Sequence, residues 1–130
     1  MDLIKITPDL GKAKNILRMT SLIEERIQLQ DRERMVALII TDYYEIIKEL
    51  ITALLLIDGY KTLSHKDLIT YLEENYSEFK TNEIATLNNL RILRNRVAYE
   101  GLFIDSSHLE RNENLLRDII KKLGDVIERK

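Results

Sequence analysis

The segment from Arg32 to Asp58 constrains the fold most, because its apolar residues recur at steps of three and four. This spacing places them on one side of an α-helix, whereas a half-buried strand would alternate at every second residue. Gly59 follows directly and is the residue type that most often ends a helix in the left-handed conformation. The pattern therefore predicts one long helix. Its apolar stripe consists of Met35, Leu38, Ile39, Tyr43, Ile46, Ile47, Leu50 and Leu54.

Helix-capping residues predict a helix on either side of this segment. Thr7-Pro8-Asp9 combines a capping threonine, a proline suited to the first helical position and an acid in the first turn. We expect the first helix to run from about Pro8 to Gln30. Ser64, with Asp67 three residues later, resembles a capping box and predicts the start of a short third helix.

Two more helices are predicted in the second half of the chain. Thr81 or Asn82 can cap a fourth helix that extends to about Tyr99. Ser107 and Glu110 have capping-box spacing and predict the start of a fifth helix. No segment shows the alternation expected of a strand. We therefore predict an all-α fold, an up-and-down helical bundle of about five helices in which two long helices pack antiparallel.

Length and composition limit the number of domains and the kinds of site. A chain of 130 residues with 45% hydrophobic residues can form its own core, and we assign residues 1–130 to a single helical domain. The absence of cysteine excludes a disulfide framework, a thiolate metal site and a cysteine nucleophile. Only two histidines are present and no carboxylates stand at metal-ligand spacing, so we expect neither a metal ion nor another cofactor.

The charge balance and the hydropathy pattern limit the partners. A net charge of −2 rules out a uniformly basic nucleic-acid binder, so contact with nucleic acid requires a local basic patch. The longest apolar run, Leu50 to Ile57, is too short to cross a bilayer. The first residues lack the long apolar core of a signal peptide. We therefore expect a cytoplasmic protein with no membrane contact.

Arg94 is the least expected residue of the fourth helix. On a helical wheel it lies within about 10° of the middle of the apolar face. Burying a guanidinium without a partner is costly, so this side chain needs a carboxylate, a cleft or an interface. An ion pair with Asp42 or Glu45 would give Arg94 a structural role, and a cleft would give it a functional one. Arg91 borders the same face, whereas Arg96 points away from it. The apolar face consists of Ile84, Leu87, Leu90, Leu93, Val97 and Ala98.

The two histidines and a tyrosine pair are the other side chains that could carry chemistry. His65 follows a capping serine, so it is either an ordinary helix-start residue or a general base. His108 also follows a capping serine and is expected at the surface. The pair Tyr43 and Tyr44 fits the core and its edge, and a stacking platform for bases is the alternative.

Two stretches resemble the HEPN superfamily, the helical domains named for nucleotide binding in higher eukaryotes and prokaryotes. The stretch from Tyr43 to Leu72 is similar to the long HEPN helix with its aromatic start, apolar run, turn glycine and following Ser-His pair. The stretch from Leu93 to Asp105, LRNRVAYEGLFID, resembles the segment that carries the family signature, an arginine, a polar residue that is often asparagine, and a later histidine. The order and spacing of the two stretches agree with a five-helix bundle.

The family signature is half present in this chain. Arg94 and Asn95 match its opening, but Tyr99 occupies the histidine position, five residues after the arginine. Members of the toxin branch commonly carry a tyrosine two residues beyond that histidine, which a partner nucleotidyltransferase modifies, and Gly101 stands there in this chain. The resemblance implies a homodimer whose two arginine motifs line one cleft. Active members are metal-independent ribonucleases, and others bind nucleotides or RNA without cleavage.

The replacement of histidine by tyrosine bears on catalysis. Histidine titrates near neutral pH, whereas a tyrosine side chain ordinarily keeps its proton until about pH 10 and is a poor general base. Tyrosine can still hydrogen-bond a phosphate or stack on a base. The resemblance therefore implies a dimer that binds RNA or a nucleotide and cleaves weakly or not at all. The implied binding residues are Arg91, Arg94, Asn95, Tyr99 and His65, of which Arg94 and Tyr99 would carry any catalysis.

Two alternative functions remain open. The first is a metal-independent HEPN endoribonuclease, the toxin of a toxin–antitoxin pair with a nucleotidyltransferase partner, in which Tyr99 or His65 replaces the missing histidine. A role for His65 requires it to lie close to Arg94. The second alternative is a structural or interaction module, in which Arg94 only forms an ion pair.

Overall fold

The chain folds around the long helix that the apolar stripe predicts. The computed structural model describes all residues, 1–130, and contains five α-helices, which confirms the predicted all-α bundle. The helices are α1 (Leu10–Leu29), α2 (Val36–Asp58), α3 (His65–Asn75), α4 (Thr81–Glu100) and α5 (Ser106–Glu128). Helix α2 is the most deeply buried, and Ile39, Ile46 and Leu54 have no exposed surface. None of the helices is both long enough and apolar enough to cross a membrane.

Helices α1 and α2 form the predicted antiparallel pair. At one end the backbone N–H of Asp9 donates to the carbonyl of Leu56 at 3.0 Å, and near the other end Arg26 pairs with Asp42 at 2.7 Å. Helix α5 also packs against α2, and α4 packs against both α2 and α3. Because α2 has neighbours on several sides, it is apolar around most of its circumference.

Helices α1 and α2 begin later than the sequence pattern predicts. Helix α1 starts at Leu10, because Asp9 rather than Thr7 caps it and accepts a backbone hydrogen bond at 3.0 Å. Helix α2 starts at Val36. The carboxylate of Asp31 accepts the backbone N–H groups of the second and third residues after it and holds that segment in a turn.

The N-terminus of α3 agrees with its capping signal, whereas α4 and α5 are capped slightly earlier than predicted. Ser64 caps α3 and accepts a backbone hydrogen bond at 3.2 Å. Lys80, one residue before Thr81, is the N-cap of α4. Asp105 rather than Ser107 caps α5, because a carboxylate is a strong acceptor and its charge is favoured at the positive end of a helix.

A short pair of strands is present although the sequence shows no strand pattern. β1 (Ile4–Lys5) pairs antiparallel with β2 (Tyr60–Lys61). Gly59 joins α2 to β2 in the left-handed conformation, with φ at 90°, and a Cβ there would lie 3.1 Å from the carbonyl oxygen of Ile6. Strands of two residues are too short to show an alternation, so their pairing depends on where the fold places the two segments.

Candidate functional site

The apolar face of α4 is deeply buried only over its first half. Ile84, Leu87 and Leu90 lie in the core, whereas Leu93 is half-buried. Arg94 therefore lies where the burial of this face decreases. This position allows a guanidinium group to point from an apolar face without losing all of its contact with solvent.

The guanidinium group of Arg94 packs on Tyr44 of α2. Its Cζ atom lies 5.8 Å from the centre of the Tyr44 ring, which is within cation–π distance. Nη1 donates a hydrogen bond to Oδ1 of Asn95 at 3.3 Å, while Nε is buried and has no hydrogen-bond partner. Arg94 is therefore held by an aromatic ring and an amide, and it retains unused donors.

No carboxylate pairs with Arg94, so the ion pair with Asp42 or Glu45 considered above is wrong. Asp42 accepts two hydrogen bonds from Arg26, at 3.0 and 2.7 Å. Glu45 pairs with Lys48, one turn along the same helix, at 2.8 Å. Both acids thus have other cationic partners, and the structure removes the particular contact that would have given Arg94 a purely structural role.

Arg91, one turn before Arg94, has similar surroundings. It is half-buried, its Nε atom is buried without a hydrogen-bond partner, and it takes part in no ion pair. Arg96, by contrast, is exposed as expected and pairs with Glu100 at 2.9 Å. Of the three arginines, two are therefore left without an anion at partly buried positions.

His65, the first residue of α3, lies beside the same tyrosine. The ring centroids of His65 and Tyr44 are 6.0 Å apart, and the ring planes are tilted by 49°. Burial, followed by the positive charges of Lys48 and Arg94, lowers the pKa of His65 below its ordinary value, and Glu45 opposes this effect. The imidazole is therefore neutral at pH 7, with one donor and one acceptor nitrogen.

Tyr44, His65, Arg91, Arg94 and Asn95 thus form one site on α2, α3 and α4, which we call the arginine cluster. Burial raises the pKa of the Tyr44 hydroxyl, while the two arginines act in the opposite direction. The cluster combines two cations with a neutral imidazole, a neutral phenol and an amide. Such a set can bind an anion that also offers hydrogen-bonding groups.

Tyr99 does not belong to the arginine cluster of its own chain. Five residues after Arg94, it is rotated by about 140° around the axis of α4. Its side chain is 81% exposed. Ile92 and Phe103, which are 50% and 95% exposed, lie on the same part of the chain. We call Ile92, Tyr99 and Phe103 the exposed strip.

The adjacent tyrosines of α2 have different surroundings, which the sequence does not distinguish. Tyr43 faces α5, where its hydroxyl donates to Glu113 at 2.5 Å, and burial raises its pKa to about 12. Tyr44 faces α3 and α4, where it contacts His65 and Arg94. Neighbours on a helix differ by about 100° in direction, so only the packing of the other helices reveals which tyrosine belongs to a site.

His108 is not a surface residue, contrary to the expectation from sequence. It is half-buried, and its Nδ1 atom is buried without a hydrogen-bond partner. Burial, with a smaller contribution from the charge of Arg111, lowers the pKa of His108. The residue lines a cavity between α4 and α5. This environment depends on how α5 returns alongside α4, which no local signal in the sequence indicates.

No group of three or more histidine and acidic side chains is arranged to hold a metal ion. Comparison with known proteins adds no assignment, because no family model, curated protein or solved structure matches the chain.

Proposed function

We propose that the chain is a HEPN-like, dimeric protein that binds RNA or a nucleotide through the arginine cluster, with weak or no catalysis. The observation that supports this most directly is the pair Arg91 and Arg94, which are half-buried and have no carboxylate partner. A phosphate group would supply the missing anion. Guanidinium groups bind phosphate oxygens through two parallel, charge-assisted hydrogen bonds.

The neutral members of the arginine cluster add contacts beyond the phosphate. The imidazole of His65 can donate a hydrogen bond to a phosphate oxygen or accept one from a ribose hydroxyl. Asn95 already accepts a hydrogen bond from Arg94, which leaves its amide N–H groups for a ligand. A phosphate attached to a sugar therefore matches the site better than an isolated inorganic anion.

Binding of labelled single-stranded RNA, followed by fluorescence anisotropy at several salt concentrations, tests the proposal. We expect Arg94→Ala and Arg91→Ala each to weaken binding about tenfold, since each removes a charge-assisted hydrogen bond. The salt dependence should also become shallower, by about 0.7 in log–log slope for each lost phosphate contact. Arg96→Ala is the matched control, because it removes the same charge from an exposed position on the same helix.

Two outcomes would contradict the proposal. Equal losses in Arg94→Ala and Arg96→Ala would show that binding depends on overall charge and not on the cluster. Absence of RNA and nucleotide binding by the unmodified protein would favour the structural or interaction module.

The exposed strip supports the dimeric part of the proposal. A second copy packed on it would cover the large apolar side chains of Ile92, Tyr99 and Phe103, which otherwise contact water. Sedimentation velocity should show a dimer that the double substitution Tyr99→Ser/Phe103→Ser converts to a monomer. Leu63→Ser is the control, because Leu63 is 93% exposed and lies outside the strip. A monomeric unmodified protein at high micromolar concentration would refute this part. If the chain does not form a homodimer but binds a nucleotidyltransferase, the exposed strip is the interface for that partner.

One observation favours the alternative, a metal-independent endoribonuclease toxin. His65 and Arg94 both contact Tyr44, so an imidazole and a guanidinium lie near one another. In that reaction His65 would take the proton of a ribose 2′-hydroxyl, the 2′-oxygen would attack phosphorus, and the 5′-oxygen would leave as a hydroxyl after receiving a proton. Arg94 would stabilise the charge on the phosphorane. Each cluster has one imidazole for both proton transfers, which supports weak cleavage.

A cleavage assay separates the two functions. Single-stranded RNA incubated with the protein in the presence of a chelator should remain largely intact if the chain is a binding protein. Products ending in a 2′,3′-cyclic phosphate, absent with His65→Ala and unaffected by Tyr99→Phe, would establish the endoribonuclease and identify its base.

A further inference from the structure

A cavity of about 140 Å³ lies between α4 and α5. Lys122 of α5 pairs with Glu83 of α4 at 2.7 Å, and the cavity begins one helical turn beyond this contact along α4. None of its lining residues belongs to the arginine cluster. The lining residues are Thr86, Asn89, Leu90, Leu93, His108, Asn112 and Leu116.

The polar side chains of the cavity have unused hydrogen-bonding capacity. Asn112 donates from its amide nitrogen to the carbonyl of His108 at 2.8 Å, which leaves its Oδ1 atom as a free acceptor. The Nδ1 atom of His108 has no partner. Thr86 donates its hydroxyl proton to a backbone carbonyl and keeps its oxygen lone pairs, and Asn89 is exposed at the cavity entrance.

The apolar part of the lining consists of leucines, and no charged side chain contributes to it. Leu90 and Leu116 are buried, and Leu93 is half-buried. An ionised ligand would find no counter-charge among these groups, so a neutral one is favoured. A flat ring suits this arrangement, since its faces can rest on leucine while its edge meets amide and imidazole groups.

The volume of the cavity matches one ring. An apolar cavity of about 150 Å³ holds a single benzene molecule. A volume of about 140 Å³ therefore accommodates one six-membered ring, and the second ring of a fused pair would extend towards solvent. Because Asn89 is exposed, a sugar attached to the ring can extend into solvent.

We infer that this cavity is a second binding site, which takes a neutral single-ring heteroaromatic group of the pyrimidine-base class. Asn89 and Asn112 contact the donor and acceptor groups on the edge of the base, and Leu90 and Leu93 pack against its face. The site is independent of the arginine cluster. A nucleoside without a phosphate is therefore sufficient to occupy it.

Titration of the isotope-labelled protein with uridine, cytidine and adenosine, followed by ¹H–¹⁵N NMR spectroscopy, tests this inference. Uridine and cytidine should shift the amide signals of residues 86–93 and 108–116, and adenosine should bind at least tenfold more weakly. Asn89→Leu and Asn112→Leu should each weaken pyrimidine binding about tenfold by removing a hydrogen bond. Asn114→Leu is the matched control, because Asn114 is an exposed asparagine of α5 outside the cavity.

The inference would be overturned by any one of three results: no amide shift with either pyrimidine nucleoside, unchanged binding by Asn89→Leu, or equally tight binding of adenosine. Asn89 is exposed, so its variant remains folded even if Asn112→Leu is unstable. Arg94→Ala should leave uridine binding unchanged. If the unmodified protein binds uridine but not RNA, only the arginine cluster is refuted; if it binds RNA but not uridine, only the cavity is refuted.

Discussion

Replacing Arg94 with leucine is expected to stabilise the protein, although the arginine is half-buried. Leucine at this position would extend the apolar face of Leu87 and Leu90. The substitution removes a buried Nε atom without a hydrogen-bond partner, whose desolvation costs about 1–3 kcal/mol. It also removes the cation–π contact with Tyr44, which contributes about 0.5–1 kcal/mol, and a long hydrogen bond to Asn95, which contributes about 0.5 kcal/mol. The difference is a gain of about 1 kcal/mol, or about 4 °C in Tm for a domain of this size.

Urea unfolding followed by circular dichroism measures this difference, with all variants at the same protein concentration because dimerisation contributes to apparent stability. Arg26→Leu is the matched control. It removes an arginine that does have a carboxylate, and Asp42 then keeps its buried charge without its main partner. Because the Arg26 side chain is 59% exposed, solvent screening limits the expected loss to about 1–2 kcal/mol.

The two arginine-to-leucine substitutions should therefore change stability in opposite directions. A loss of more than about 1 kcal/mol in Arg94→Leu would refute the reasoning. It would mean that Arg94 has an anionic partner within the folded protein or its dimer, and that its position on the apolar face serves the fold.

Three other substitutions test the physical description. Tyr43→Phe should cost about 1–2 kcal/mol in urea unfolding, because Glu113 and Arg117 lose a buried hydroxyl that lies 2.5 and 3.1 Å from them. Gly59→Ala should cost about 1–2 kcal/mol, because the left-handed backbone is strained for alanine and its Cβ would lie 3.1 Å from a carbonyl oxygen. The pKa of His65 is lower in the folded protein than in the unfolded chain. As the pH falls below about 6.5, the unfolded chain therefore binds a proton before the folded protein does, and the free energy of unfolding should decrease. His65→Gln should make that decrease shallower, and identical slopes for the two proteins would contradict the lowered pKa.

Local signals in the sequence were sufficient for the number and type of helices. The apolar period of α2, its terminal Gly59 and the Ser64 cap of α3 all depend on residues close together in the chain, and the structure agrees with each. The starts of α1 and α5 were displaced by one to a few residues, because Asp9 and Asp105 cap these helices in place of a hydroxyl residue nearby. The strand pair escaped prediction because its two segments are distant in sequence.

The candidate site was only partly predictable for the same reason. Arg94 stood out because a helical wheel alone shows a charge on an apolar face. The proximity of His65 to Tyr44 and the pairing of Arg26 with Asp42 depend on how three helices pack together. Tyr99 was predicted as a site residue only because it occupies the histidine position of the family signature. In the structure it is exposed and points in a different direction on α4 from Arg94.

The stability and the binding of Arg94 variants together distinguish the three functions considered. A structural module requires the arginine to stabilise its own fold, whereas a binding site often retains a group at the expense of stability. If the Arg94→Leu variant is more stable than the unmodified protein and no longer binds RNA, the arginine is retained to bind an external anion. If cleavage also disappears in His65→Ala while binding persists, the same site is catalytic. Loss of the dimer in Tyr99→Ser/Phe103→Ser is followed by sedimentation, which is a different measurement from both urea unfolding and RNA binding.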